Sequence, residues 1–211
     1  MKITRKNFVR GDVAAVPPSV ALGALNNRFG WAQAADFDSD VDVLNYALTL
    51  EYLEAEFYRQ GNSAGLLSGK EMQYLDAVQA DEDSHVATIA ATVKQLGGQP
   101  VAAPAVDFGD SFASRESYLT TSHVFENLGV QAYLGAAGFI SDKAVLQAAA
   151  GIFGVEARHA AVVGNLLGLE AEGGVYMGAT ETPLDMAQVL KAVTPFLAGA
   201  GAMGEGAAVT L

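Results

Sequence analysis

The sequence predicts an all-α protein, an antiparallel four-helix bundle. Three observations carry that expectation. Two tetrapeptides, Glu82-Asp83-Ser84-His85 and Glu156-Ala157-Arg158-His159, share the spacing Glu-x-x-His, which sets a carboxylate and an imidazole one helical turn apart on one face. Each sits in an apolar stripe of alternating 3/4 spacing: Leu75, Val78, Glu82, His85, Ile89, Thr92 and Leu96, then Val145, Ala149, Ile152, Glu156, His159, Val163 and Leu166. Stripes of this period face the seam of a bundle. The composition also fits tightly packed helices, with 51% hydrophobic residues, many of them alanine.

The elements follow from local signals. Helix one is expected over about 40–60, entered through an Asp/Ser-rich start and ended by Gly61. Ser68-Gly69-Lys70-Glu71 reads as a capping box opening helix two, which stops near Leu96 before Gly97 and Gly98. Residues 97–113 are rich in Pro, Ala and Gly and form the longest connection. Fully extended, they reach about 55 Å at roughly 3.3 Å per residue. That exceeds the length of a helix of about 25 residues, about 38 Å at 1.5 Å per residue. Helix three is expected from Ser114 to about Ile140, and helix four from Asp142 to Leu167 with Gly168 as its stop. A short last helix is expected at Thr182-Pro183-Leu184-Asp185, with Thr182 as cap and Pro183 in the first turn.

A charged Glu in an apolar seam costs several kcal/mol unless something compensates it, on the order of the penalty for a buried ion. Two facing Glu-His pairs are most simply compensated by metal. Two more carboxylates complete the set. Glu51 and Glu126 each begin the string Glu-x-Leu-x-x-x-x-Tyr, ending at Tyr58 and Tyr133. Glu126 lies in a stripe with Leu119, Ser122, Gly129, Tyr133, Ala136 and Ile140, and Glu51 continues Leu44 and Leu48. Glu54 is the rival of Glu51, being also nearly on the inward face. Glu56 is off the stripe and reads as solvated. His123, the remaining histidine, falls just outside its stripe and reads as a flanking residue. Tyr58 and Tyr133 lie two turns C-terminal to a candidate ligand and are the candidate catalytic residues, as phenols that hydrogen-bond ligands. The plainer reading of both is a core aromatic.

The order Glu, Glu-x-x-His, Glu, Glu-x-x-His over residues 38–168 resembles the ferritin-like superfamily of di-iron and di-manganese carboxylate proteins. The wording of helix one, Ala47 to Tyr58, is most similar to the desiccation-related ferritin-like group. The resemblance implies a ferritin-like antiparallel bundle with a crossover between helices two and three and a short C-terminal helix. It implies metal ligands Glu51, Glu82, His85, Glu126, Glu156 and His159, holding two iron or manganese ions per chain. The implied function is redox chemistry with O2 or H2O2 of ferroxidase, peroxidase or catalase type, in stress protection. The alternatives are a metal-stapled structural or envelope-assembly protein, and an iron-storage shell.

Composition narrows the remaining classes. The 24 acidic and 12 basic residues give a formal charge of −12, which opposes nucleic-acid binding and attracts divalent cations. With no cysteine, disulfides, iron–sulfur clusters and thiolate metal sites are excluded. No stretch reaches the roughly 20 apolar residues of a membrane span. The expected partners are O2 or H2O2 as substrate and a second copy of the chain or an envelope protein. Thr4-Arg5-Lys6-Asn7-Phe8-Val9-Arg10 resembles a twin-arginine export motif with Lys6 in place of the second arginine, and Ala32-Gln33-Ala34 a cleavage pattern. Residues 1–34 are read as an export signal or an N-terminal arm, 35–170 as the bundle and 171–211 as a C-terminal extension. Export to the periplasm or envelope is the expectation, with a cytoplasmic location the alternative.

Overall fold

The computed structural model describes residues 37–198. The readings of residues 1–34 and of the tail from 199 onward lie outside the described residues. Four long helices form the bundle: α1 Asp40–Ser63, α2 Gly69–Gln95, α3 Arg115–Ala136 and α4 Lys143–Leu166. A short α5, Met186–Val193, packs on α3. Among the described residues there is no strand, only isolated bridges.

Side-chain contacts give the helix directions. The N-terminal end of α1 meets the exit of α2, where Asn45 Nδ2 donates to Gln99 O at 3.1 Å, so these helices are antiparallel. Arg115 at the start of α3 donates to Leu166 O at the end of α4 at 2.9 Å, so these are antiparallel too. The same Arg115 also grips Glu71 in the first turn of α2 at 2.5–3.0 Å. The two hairpins therefore meet with α2 and α3 running in the same direction. Residues 97–113 accordingly return along the bundle as a crossover, as expected from their length. They are not featureless: Gly109–Phe112 forms a 3-10 turn, and Val106 bridges to Leu197. Asp107 N donates to Phe196 O and Ala198 N to Ala105 O, both at 2.8 Å, which stitches the C-terminal segment onto the crossover.

Several local expectations are corrected. Helix α1 runs through Gly61 to Ser63. Gly61 is a contact residue and not a stop: a Cβ there would lie 2.2 Å from the Tyr118 ring. Ser68 caps α2 without a side-chain hydrogen bond, and the Glu71 side chain is turned to Arg115 and does not close a capping box. Helix α3 ends at Ala136 and tightens into a 3-10 turn at Ala137–Phe139 short of Ile140. The cap of α5 is Asp185, in a capping box with Gln188, and not Thr182. The α2 stripe ends on Val93, while Leu96 is exposed as the helix C-cap. Helix α2 thus takes another four-residue step at its end, as a straight 3.6-residue helix must when a strict heptad drifts.

Two apolar clusters flank the middle of the bundle. One centres on Phe57, whose ring lies 4.9–5.4 Å from Tyr58, Phe108, Phe112, Tyr118 and Phe125, mostly tilted or edge-on as aromatic quadrupoles prefer. The other joins Leu44, Leu48, Ile89, Val93, Val145 and Ile152. Between them lies the polar layer.

Candidate metal centre

The layer is built by all four long helices. Glu51, Glu82, Glu126 and Glu156 are each at most 1% exposed, with His85 at 8% and His159 at 6%. All six candidates expected to be ligands converge. They form two groups, Glu51, Glu82, His85 and Glu156, and Glu82, Glu126, Glu156 and His159. Within each, one donor atom per residue lies within 4.8 Å of every other. Glu82 and Glu156 belong to both groups. They come from α2 and α4, and they lie between Glu51 with His85 on one side and Glu126 with His159 on the other.

The imidazoles face the carboxylates through Nδ1. His85 Nδ1 lies 3.2 Å from Glu51 Oε2, Glu82 Oε2 and Glu156 Oε1. His159 Nδ1 lies 3.0 Å from Glu82 Oε1 and 3.2 Å from Glu126 Oε2, aligned to hydrogen-bond neither. Its other nitrogen, Nε2, meets Asp81 Oδ2 at 3.1 Å. Burial opposes charge on His85, but Glu156, Glu51 and Glu82 outweigh it and push its pKa up to about 12. Burial likewise opposes charge on His159, and Glu126 with Glu82 raises it to about 11. Burial raises Glu82 to about 7 against the lowering effect of His159 and His85. Burial, then the charge of Glu82 and Glu126, holds Glu156 well above the carboxylate range. Burial and crowding thus favour protons on Glu82, Glu156 and both imidazoles.

The tyrosines cross over. Tyr58 on α1 donates to Glu126 on α3 and shares a 2.5 Å hydrogen bond with Ser122, and Tyr133 on α3 donates to Glu51 on α1. The phenols thus serve the ligand of the opposite helix, because α1 and α3 are antiparallel and two turns along one brings Tyr58 level with Glu126. Burial first, then the neighbouring carboxylate, raises both phenol pKa values well above the usual range, so each remains a donor. His123 stands apart as expected, its Nε2 donating to Gly174 O at 3.0 Å. Glu54 is also buried, at 4% exposure. Asp81 and Ser122 were not singled out by sequence. Ser122 is small enough to pass as a stripe filler, and Asp81, one residue before Glu82, shows its role only when α2 and α4 are set side by side.

A family model described as a ferritin-like domain matches residues 39–169. The chain belongs to the ferritin-like family. No curated protein matches it. In this ferritin-like bundle the donor set fits hard or borderline cations: oxygen-rich, with one imidazole per group and no sulfur. Orphaned atoms point the same way. Glu51 Oε2, Glu82 Oε1, Glu126 Oε2, both oxygens of Glu156 and Nδ1 of His159 are buried with no hydrogen-bond partner. Buried polar atoms seldom lack partners, and six in one layer call for a shared one. The clustered residues can hold metal ions. None of the described helices is long and apolar enough to cross a membrane.

Proposed function

We propose that the ferritin-like bundle holds a dinuclear iron or manganese centre that performs redox chemistry with O2 or H2O2. The observation that carries the reading is the sharing of Glu82 and Glu156 by two otherwise separate four-residue groups. Glu51 and His85 would hold one ion, Glu126 and His159 the other, and Glu82 and Glu156 would span both. Four carboxylates and two neutral imidazoles balance two divalent cations in charge. Such a pair supplies one-electron steps at each ion and open positions for a small oxidant. The chain's own part is to hold the ligands in a dry seam and steady Glu126 and Glu51 through the phenols of Tyr58 and Tyr133.

The test is metal analysis and turnover. Protein loaded with Fe(II) or Mn(II) should carry two ions per chain and consume H2O2 or O2. Two bound ions with no reaction toward either oxidant would remove the redox function and leave a metal-stapled structural bundle. The helix-one wording and the Arg5-Lys6 motif support a stress-related, exported protein. Replacing Arg5 and Lys6 by Gln should then retain it in the cytoplasm in cell fractionation.

A further inference from the structure

The two hairpins repeat one pattern, and the repeat is broken at one buried position. Helices α1 and α3 are antiparallel, and the crossed bonds set Glu51 against Tyr133 and Tyr58 against Glu126. Midway, three residues past each ligand, stand Glu54 on α1 and Gly129 on α3. They face each other: a Cβ on Gly129 would lie 3.5 Å from Glu54 Oε1 and 2.8 Å from Glu156 Oε2. The missing side chain on α3 leaves room for two carboxylate oxygens around one point. One belongs to a residue shared by both groups, and the other belongs to Glu54.

Glu54 is 4% exposed, and the carboxylates acting on it are Glu156, Glu82, Glu126 and Glu51, the four acids of the ligand set. No arginine or lysine among the described residues is buried. Five carboxylates therefore share a dry layer with two imidazoles as its only basic side chains. A buried carboxylate without a cation nearby is strongly disfavoured, because its charge is left uncompensated. Both oxygens of Glu156, the nearest of the set to Gly129, are without hydrogen-bond partners. Resting on the two-ion reading above, we propose that Glu54 is a fifth carboxylate ligand of the centre, delivered from α1 into the space that Gly129 leaves on α3. It comes in beside the shared carboxylate of Glu156, next to Gly129. The two ions thereby differ from a symmetric pair by one negative ligand.

The experiment is Mn(II) binding by calorimetry with electron paramagnetic resonance on the same samples, for wild type and E54Q. Gln keeps the size and removes the charge. Two ions should still bind to E54Q, with one or both steps weakened at least about tenfold and the spectrum of the Mn(II) pair changed, in line with lost ligation. Should E54Q bind both ions with wild-type affinity and an unchanged spectrum, Glu54 is a packed neutral acid and the proposal falls, while the two-ion reading stands. Should wild type bind no ion, the two-ion reading falls and this proposal with it. E54L, which fills the same volume without polarity, reads out the same comparison if E54Q does not fold.

Discussion

Replacing Asp81 by Asn should weaken one of the two metal positions and spare the other. His159 Nε2 meets Asp81 Oδ2 at 3.1 Å, while Nδ1 faces the carboxylates. A carboxylate behind a ligating imidazole fixes its tautomer, orients the ring and makes the ligating nitrogen more basic. Removing such a partner costs roughly 10–100-fold in metal affinity. The Asp81 side chain is 55% exposed, so water screens part of its charge. The effect should therefore sit at the low end, about tenfold, equivalent to about 1.4 kcal/mol. The position corresponding to Asp81 on α4 is Val155, which has no carboxylate to offer His85. The two positions are inequivalent on this account. Stepwise Mn(II) calorimetry on Asp81→Asn should show two ions still bound, one step shifted by about tenfold and one unmoved. Equal weakening of both steps, or of neither, would refute the reasoning.

Tyr58→Phe removes the donor to Glu126 Oε1 and the acceptor of the Ser122 hydroxyl, so the metal-free protein should lose about 1–3 kcal/mol in denaturant melts. Metal stoichiometry should stay at two, and loss of an ion would show that the phenol holds metal directly. In the metal-free protein, His85 rises from 6.5 to about 12, His159 from 6.5 to about 11 and Glu82 from 4.5 to about 7. Groups raised on folding lend stability that is complete below their unfolded pKa and lost as pH climbs through the folded one. Chelated protein should thus melt lower at pH 9 than at pH 5, and bound metal, which displaces those protons, should reduce or reverse the trend. Equal chelated melting points at both pH values would contradict the crowding of acids in the layer. Gly61→Val drives a side chain into the Tyr118 ring, 2.2 Å from the built Cβ, and should cost about 1–3 kcal/mol by overpacking. An unchanged melting temperature would mean that α1 and α3 separate freely there.

The chemistry-bearing face of each helix was legible because periodicity is a property of the backbone. Glu82, His85, Glu156 and His159 occupy positions where only an apolar residue would otherwise do, and their spacing places them without tertiary knowledge. What needed the structure was pairing between helices. The phenols of Tyr58 and Tyr133 could be assigned to a ligand, but not to the opposite helix, until α1 and α3 were known to be antiparallel. Glu51 and Glu54 both point inward, and on one helix only the Glu-x-Leu-x-x-x-x-Tyr string favoured Glu51; with the four helices together, Glu51 falls in a four-residue donor group. Gly61 read as a stop because a glycine near a helix end commonly is one, and only Tyr118 reveals the close approach. Ser68 and Glu71 have the spacing of a capping box, yet an arginine 44 residues from Glu71 in sequence takes the acid. Local rules lose where a long-range partner offers a better bond.

The crossed tyrosines and shared carboxylates have a consequence for assembly. Neither helical hairpin owns a complete set of donors: the first lacks Glu156 and the second lacks Glu82, and each lends a phenol to the other's acid. Neither half alone holds either donor group whole. Competence arises only when the two halves close face to face. A metal ion seated between Glu82 and Glu156 would therefore report on that closure, much as a seal shows that two parts of a casing have met.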